Sequence, residues 1–401
     1  MLMLLELERQ RGETMSIKAR FGLDEIEDYV VETVPDADII VNANESNWNL
    51  PKDIVEKIVE QTRSFSFNRY PPMAAESLCS TIGSALNVDA NKIIIGNGSS
   101  ELLEKACYAF GGMGRKIAVP TPSFSMYGEY VQLADSTVLP YKLSSSGYIN
   151  PDDVIELCKK ERPALLIICN PNNPTGNFNL IDKIEKILAK VDCPVIMDEA
   201  YMDFAQEGFG NRNISTLSLV DKYSNFLCFR TFSKAFGLAG MRVGFGTGSE
   251  QLIKIMQKVL LPYHVNNYSL MVAECVYKER IIFESRIKLI IRGRNKMTEE
   301  LKTLGFELFD SSTNFIMFLP SSNLAYKLSQ GAIRGGYKLE GSNENMAGSY
   351  IFKELLAKKI MVRDFSNHPL LPGAIRLTIG TEEENRKILD AIKEICIRAE
   401  G

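Results

Sequence analysis

Between Asn91 and Gly246 the chain alternates short apolar runs with longer helix-like segments, and this alternation restricts the fold more than any other feature. The runs are Ile93-Ile94-Ile95, Ile117-Ala118-Val119, Leu165-Leu166-Ile167-Ile168, Val195-Ile196-Met197, Phe226-Leu227-Cys228-Phe229 and Val243-Gly244-Phe245. Each has the length of a strand, and continuous apolar strands belong to parallel sheets covered on both faces. Between them the spacing predicts helices over 100–110, 125–133, 151–160 and 180–190, the third opened by Asn150 as N-cap with Pro151 in the first turn. The expected class is α/β, with a mostly parallel sheet covered by helices.

From about Arg286 the pattern changes to a long charged helix followed by mixed segments such as Phe315-Ile316-Met317-Phe318 and Ile375-Arg376-Leu377-Thr378-Ile379, which predicts a smaller α+β unit. A chain of 401 residues exceeds what one core usually serves. The expected division is an N-terminal arm with part of the small unit over 1–47, a large unit over 48–285 and a small unit over 286–401. Gln330 to Ser349, rich in glycine and poor in large apolar residues, reads as an exposed loop or lid.

Composition excludes several function classes. The net charge of -4 comes from 46 basic and 50 acidic residues spread along the chain, without the basic blocks that a nucleic-acid backbone requires. The opening Met1 to Leu5 is apolar but ends at Glu6, too short for a signal core or a membrane span, so a cytoplasmic protein is expected, with Met15 as its natural start. Eight separated cysteines without a CxxC pair read as reduced thiols, and two histidines offer little for a metal site.

The strongest motif is Arg230 to Arg242. Lys234 follows a buried strand, hydroxyl residues bracket it and Arg242 stands eight positions on. An amine held in a cleft can form an imine with an aldehyde, while Thr231, Ser233 and Arg242 offer donors to a neighbouring anion. A solvated loop lysine is the plain alternative. Asp198, at the end of Val195-Ile196-Met197, can pair with a protonated pyridine nitrogen, and Tyr201 can reach a phenolic oxygen; alone, such an aspartate is as often a helix cap. In Asn170-Pro171-Asn172-Asn173-Pro174-Thr175-Gly176 two prolines fix a turn that could aim Asn173 at the same oxygen, though by itself it is only a turn. Gly96-Asn97-Gly98-Ser99-Ser100 leads a strand into a helix start, a phosphate cradle or a capping box. Phe124, just past a strand, could stack on a flat ring or simply fill the core.

These motifs, in this order, resemble the fold-type-I pyridoxal-phosphate enzymes, and within them the class I/II aminotransferases from Val41 to Ile397. The resemblance implies a large domain with a mostly parallel sheet plus a smaller α+β domain, pyridoxal 5'-phosphate as cofactor, and catalysis by Lys234, Asp198 and Tyr201. Lys234 would be the Schiff-base lysine and proton shuttle, and Asp198 would bind the pyridine nitrogen. Asn173 and Tyr201 would bind the phenolic oxygen, Phe124 would stack on the ring, and Ser99, Ser100, Thr231, Ser233 and Arg242 would hold the phosphate. Tyr70, in Asn68-Arg69-Tyr70-Pro71, would reach the phosphate in the partner subunit, which implies a homodimer.

Asn42-Ala43-Asn44-Glu45-Ser46, the sequence around Lys234, and Ile375 to Thr381 resemble the histidinol-phosphate aminotransferases most. That implies Arg376, Arg363 and Asn44 as substrate contacts, and transamination of histidinol phosphate or a related amino compound with 2-oxoglutarate as acceptor. Asn47-Trp48, His264 and the segment 326–350, which reads as an insertion, depart from the family pattern and bear on the substrate. Two other readings share the scaffold: a decarboxylase of threonine or serine phosphate, and a cofactor-binding module of a transcription regulator, for which the region before Asn42 is too short to add a DNA-binding domain.

Overall fold

The computed structural model describes residues 36–206 and 214–400, together with Leu23 and Ile26. By their contacts residues 1–33 and 34–401 form separate units. Most of the expected N-terminal arm, and Met15, lie outside the described residues. The strands of the second unit are β1 (Ile39–Ile40), β2 (Ile93–Gly96), β3 (Lys116–Thr121), β4 (Thr137–Lys142), β5 (Leu165–Cys169), β6 (Val195–Asp198), β7 (Phe226–Thr231), β8 (Gly244–Gly248), β9 (Phe306–Leu308), β10 (Phe315–Pro320), β11 (Ile360–Met361), β12 (Arg363–Phe365) and β13 (Ala374–Thr378).

A seven-stranded sheet has the order β2-β8-β7-β6-β5-β3-β4. The neighbours from β7 through β4 run parallel, whereas β8 is antiparallel to both β7 and β2. The apolar runs explain this layering, because β5 and β6 are buried at every residue. Leu165 and Ile167 pack with the helices Ser99–Phe110, Met126–Leu133 and Glu250–Gln257 on one face. Leu166 and Ile168 pack with Pro151–Glu161 and Ile181–Leu188 on the other. Since β2 is antiparallel to an antiparallel strand, it runs with the parallel set. The carboxyl ends of β2, β3, β5, β6 and β7 therefore share one edge, where ligands of open α/β sheets bind.

A second, antiparallel sheet has the order β12-β13-β10-β9. It shares a core with the helices Glu284–Thr303, Ser322–Arg334, Asn343–Ala357 and Glu382–Glu400. β1 joins this half of the molecule by pairing in parallel with β11. Tyr201, Phe204 and Ala235, from the segments that follow β6 and β7, belong to the same core. The two sheets thus meet next to the strand ends that carry the motifs.

One expectation fails here. The stretch from Gln330 to Ser349 is not an exposed loop: 330–334 ends one helix, 343–349 begins the next, and only 335–342 connects them. Ser342 and Asn345 form a capping box at the second helix. Two of the glycines inside the helices serve close contact. A Cβ on Gly331 would stand 2.9 Å from Ala399, and one on Gly348 would stand 2.6 Å from the Gly373 carbonyl oxygen. Leu328, Ala332, Ala347 and Tyr350 are buried in the core of this half. No helix among the described residues is long and apolar enough to cross a membrane.

Candidate active site

Lys234 lies three residues past the end of β7, and its Nζ donates to the Ala43 carbonyl oxygen at 3.0 Å. The ammonium sits 5.9 Å from the Tyr201 ring centroid. Burial pushes its pKa down to about 8; the Arg376 and Arg242 charges act in the same direction, against Glu45 and Asp198. Burial and nearby cations both disfavour a charged amine.

Asp198 closes β6 and is buried. Its Oδ2 accepts the Tyr127 hydroxyl at 2.7 Å and its Oδ1 accepts the Ala200 N–H at 3.1 Å. Burial raises its pKa above the usual carboxylate range even though both bonds, and Lys234, pull it down. Next to it, Glu199 accepts from Ser215 Oγ, the Thr216 N–H and hydroxyl, and Arg230 Nε and Nη2 at 2.7–3.0 Å. This buried cluster ties the end of β6 to the end of β7.

Around Tyr201 the segment after β1 crosses the site. Asn44 Nδ2 donates to the Tyr201 hydroxyl oxygen at 2.9 Å, and the Asn44 N–H donates to Thr378 Oγ1 at 3.0 Å. Burial pushes the Tyr201 phenol up to about 12. Arg376, in β13, donates through Nη1 to Asn173 Oδ1 at 2.6 Å and through Nη2 to the Asn42 carbonyl oxygen at 2.7 Å. Its guanidinium lies 5.4 Å from the Phe315 ring and 5.7 Å from that of Phe365. Arg363 is its direct partner across the β12–β13 ladder, so both arginines stand on one face of the sheet. Two like charges at opposed positions repel, which an anion between them would relieve.

The turn after β2 meets the loop after β7. Thr231 Oγ1 donates to Ser233 Oγ at 3.0 Å and accepts the Ser233 N–H at 3.1 Å. Arg242 Nη1 lies 3.5 Å from Ser233 Oγ. The helix Ser99–Phe110 starts with no side-chain cap bond, behind Gly98 at φ 81°, which excludes a capping box. A Cβ on Gly98 would come within 2.7 Å of the Arg242 guanidinium. Ser99 thus opens a helix whose first N–H groups stand beside a cation. Ser100, the next residue, lies close enough to the Tyr130 hydroxyl to lower that phenol's pKa against the larger rise from burial.

Phe124 is half-buried and meets the Tyr127 ring edge to face, with centroids 5.5 Å apart. Tyr70 is 78% exposed, and its ring stacks on Tyr263 at 4.5 Å.

The model of the family described as Aminotransferase class I and II matches residues 38–392. The chain belongs to this aminotransferase family. It is 32% identical over 358 residues to the histidinol-phosphate aminotransferase of Thermoanaerobacter pseudethanolicus, covering 89% of this chain and 93% of that one. In fold it resembles the histidinol-phosphate aminotransferase of Sinorhizobium meliloti solved with pyridoxal-5'-phosphate (TM-score 0.80, 18% identity, 96% and 99% of the two chains). It also resembles the L-threonine-O-3-phosphate decarboxylase of Porphyromonas gingivalis (TM-score 0.68, 20% identity, 87% and 99%).

An aminotransferase of this class is a pyridoxal-phosphate enzyme, and the residues present fit the group. A lysine with a lowered pKa suits covalent capture of an aldehyde, and a buried aspartate pushed upward gains from a cationic ring nitrogen. Gly98, lacking a side chain, lets the Arg242 guanidinium come up to the start of the helix, where a cation suits an anion. Tyr127, whose hydroxyl holds Asp198, carries no sequence signal, because its helix reads as core. Nor does any motif mark the Asn42 and Ala43 carbonyl oxygens, which take Arg376 and Lys234. The resemblance over Asn42 to Ser46 marks the segment but assigns a role only to Asn44, and the apolar Ile39-Ile40-Val41 ahead of it is a further signal that the segment is built into the fold.

Proposed function

We propose that this aminotransferase transfers the amino group of histidinol phosphate, or of a closely related amino compound with an anionic end, to 2-oxoglutarate. The carrying observation is the pair Arg363 and Arg376 on one sheet face, with Arg376 braced by Asn173, the Asn42 carbonyl and two rings. A braced guanidinium recognises phosphate or carboxylate with a fixed fork. The name of the Thermoanaerobacter relative supports the same substrate.

Bound pyridoxal phosphate supplies the aldehyde and the electron sink. Lys234 would hold the aldehyde and, once the substrate's amine has displaced it, would take the substrate's α-proton on the freed Nζ, for which a pKa of about 8 keeps a useful neutral fraction. Asp198, ionised and held by Tyr127, keeps the ring nitrogen protonated. Tyr201 and Asn173 hold the phenolic oxygen, Phe124 covers the ring, and Ser99, Ser100, Thr231, Ser233 and Arg242 hold the phosphate. Asn44 orients Tyr201. Residues 48–285 form the cofactor-bearing domain and 286–401 the domain that presents the arginines.

We read the working unit as a cytoplasmic homodimer. Phe67, Tyr70, Met73, Leu261 and Tyr263 are exposed apolar side chains, and the Tyr70–Tyr263 and Phe67–Tyr268 rings stack among them. Exposed apolar surface of this kind suits a partner subunit, to whose phosphate Tyr70 would reach.

Purified enzyme is to be given histidinol phosphate with 2-oxoglutarate and, separately, threonine phosphate. Glutamate in the first arm supports the proposal. Carbon dioxide from the second arm, with no glutamate in the first, overturns it in favour of a decarboxylase, which would use the same paired arginines.

A further inference from the structure

One imidazole faces two backbone carbonyls. His264 Nδ1 lies 2.9 Å from the Leu261 carbonyl oxygen, and Nε2 lies 3.0 Å from that of Ile95. Both partners only accept, and a neutral imidazole has a single N–H to give. In either neutral tautomer one nitrogen would therefore present its lone pair to a carbonyl lone pair. An imidazolium donates to both.

The charge has a counterpart in Glu101, whose Oε2 stands 3.7 Å from Nε2; the two side chains are 12% and 16% exposed. The same carboxylate oxygen accepts the Asn97 N–H at 2.6 Å. Glu101 comes from the helix Ser99–Phe110. From β2 and from its own turn the ring meets the Ile95 and Leu261 carbonyls, and Arg242 stands across the Gly98 turn.

The two carbonyls belong to segments with different tasks. Ile95 lies in β2, one residue before the Gly96–Ser99 turn. On the other side Tyr263 is held at φ 60°, a left-handed conformation that costs a tyrosine energy unless its surroundings enforce it, and Tyr70 stacks on its ring.

We propose that His264 is a positioning residue which donates from both ring nitrogens and so braces the 261–266 turn against β2. It fixes the cofactor-phosphate turn and the Tyr263–Tyr70 stack in one geometry. The proposal rests on the proposed phosphate site at that turn.

The chain has only two histidines, so ring-15N-labelled His368→Gln holoenzyme reports His264 alone by solid-state NMR. The expected spectrum at pH 7 shows both ring nitrogens protonated; a single neutral tautomer overturns the proposal. In the second arm, pyridoxal-phosphate release is timed for the wild type and His264→Gln. Release about tenfold faster in the variant is expected from the loss of a hydrogen bond that braces the turn. Release at the wild-type rate overturns the positioning role. Arg242→Met tests the phosphate assignment separately: unchanged release there rejects the cradle, whatever the His264 spectrum shows.

Discussion

The lowered pKa of Lys234 can be measured without any substrate. At a value of about 8, roughly a tenth of the apoenzyme carries a neutral amine at pH 7. An ordinary lysine near 10.5 would leave it neutral about 300-fold less often. The side chain is only half-buried, so the neighbouring cations contribute along with desolvation, Arg376 before Arg242. Competitive acetylation across pH 6 to 11, read peptide by peptide by mass spectrometry, gives the midpoint of Lys234 beside that of Lys52, whose side chain is 88% exposed. The expected midpoint is about 8 for Lys234, against 10.5 for an ordinary lysine. In Arg376→Gln the Lys234 midpoint should move up, since a cation has been removed. Because folding lowers this pKa, the apoenzyme should gain stability as pH rises from about 8 towards 10.5, where only the unfolded chain still binds the proton. Lys234 labelling that keeps rising past pH 10 in the wild type would show that neither burial nor the arginines lower this pKa.

Three further outcomes are expected from contacts around the site. Tyr127→Phe removes the hydroxyl from Asp198 Oδ2 and should speed cofactor release about tenfold, as expected for one hydrogen bond to a charged acceptor, measured by dialysis against a scavenger. Glu199→Gln leaves the Arg230 guanidinium short of its buried partner; urea unfolding should show a loss of about 3 kcal/mol or more, and a change under about 1 kcal/mol would contradict the cluster's role. Gly98→Ala forces an unfavourable left-handed residue and a methyl group against Arg242. Its cofactor affinity should fall about tenfold while its far-UV circular dichroism stays as in the wild type.

The large sheet was legible because its strands are buried on both faces and read as unbroken apolar runs; β5 and β6 match those runs to within a residue. β4 escaped notice for the opposite reason. It is an edge strand containing Pro140, exposed or half-buried at most positions, and has no run to detect. The glycines between 330 and 349 misled because composition cannot distinguish a glycine that frees the chain from one that lets two backbones touch. Gly348 against Gly373 is the second kind. Among the site residues, those in turns at strand ends were visible as motifs, and the fold joins Asn44 to Tyr201 and Arg376 to Asn173 by direct bonds. Residues acting through a backbone carbonyl, such as Ala43, or from an apolar helix, such as Tyr127, leave no sequence mark of their role.

Every role proposed for the site depends on Lys234 being the amine that holds the cofactor. Holoenzyme reduced with borohydride and digested should yield one phosphopyridoxyl-labelled peptide, the one containing Lys234, and Lys234→Ala should yield none. A label on another lysine, or a Lys234→Ala protein that still turns over, would exclude Lys234 from that role.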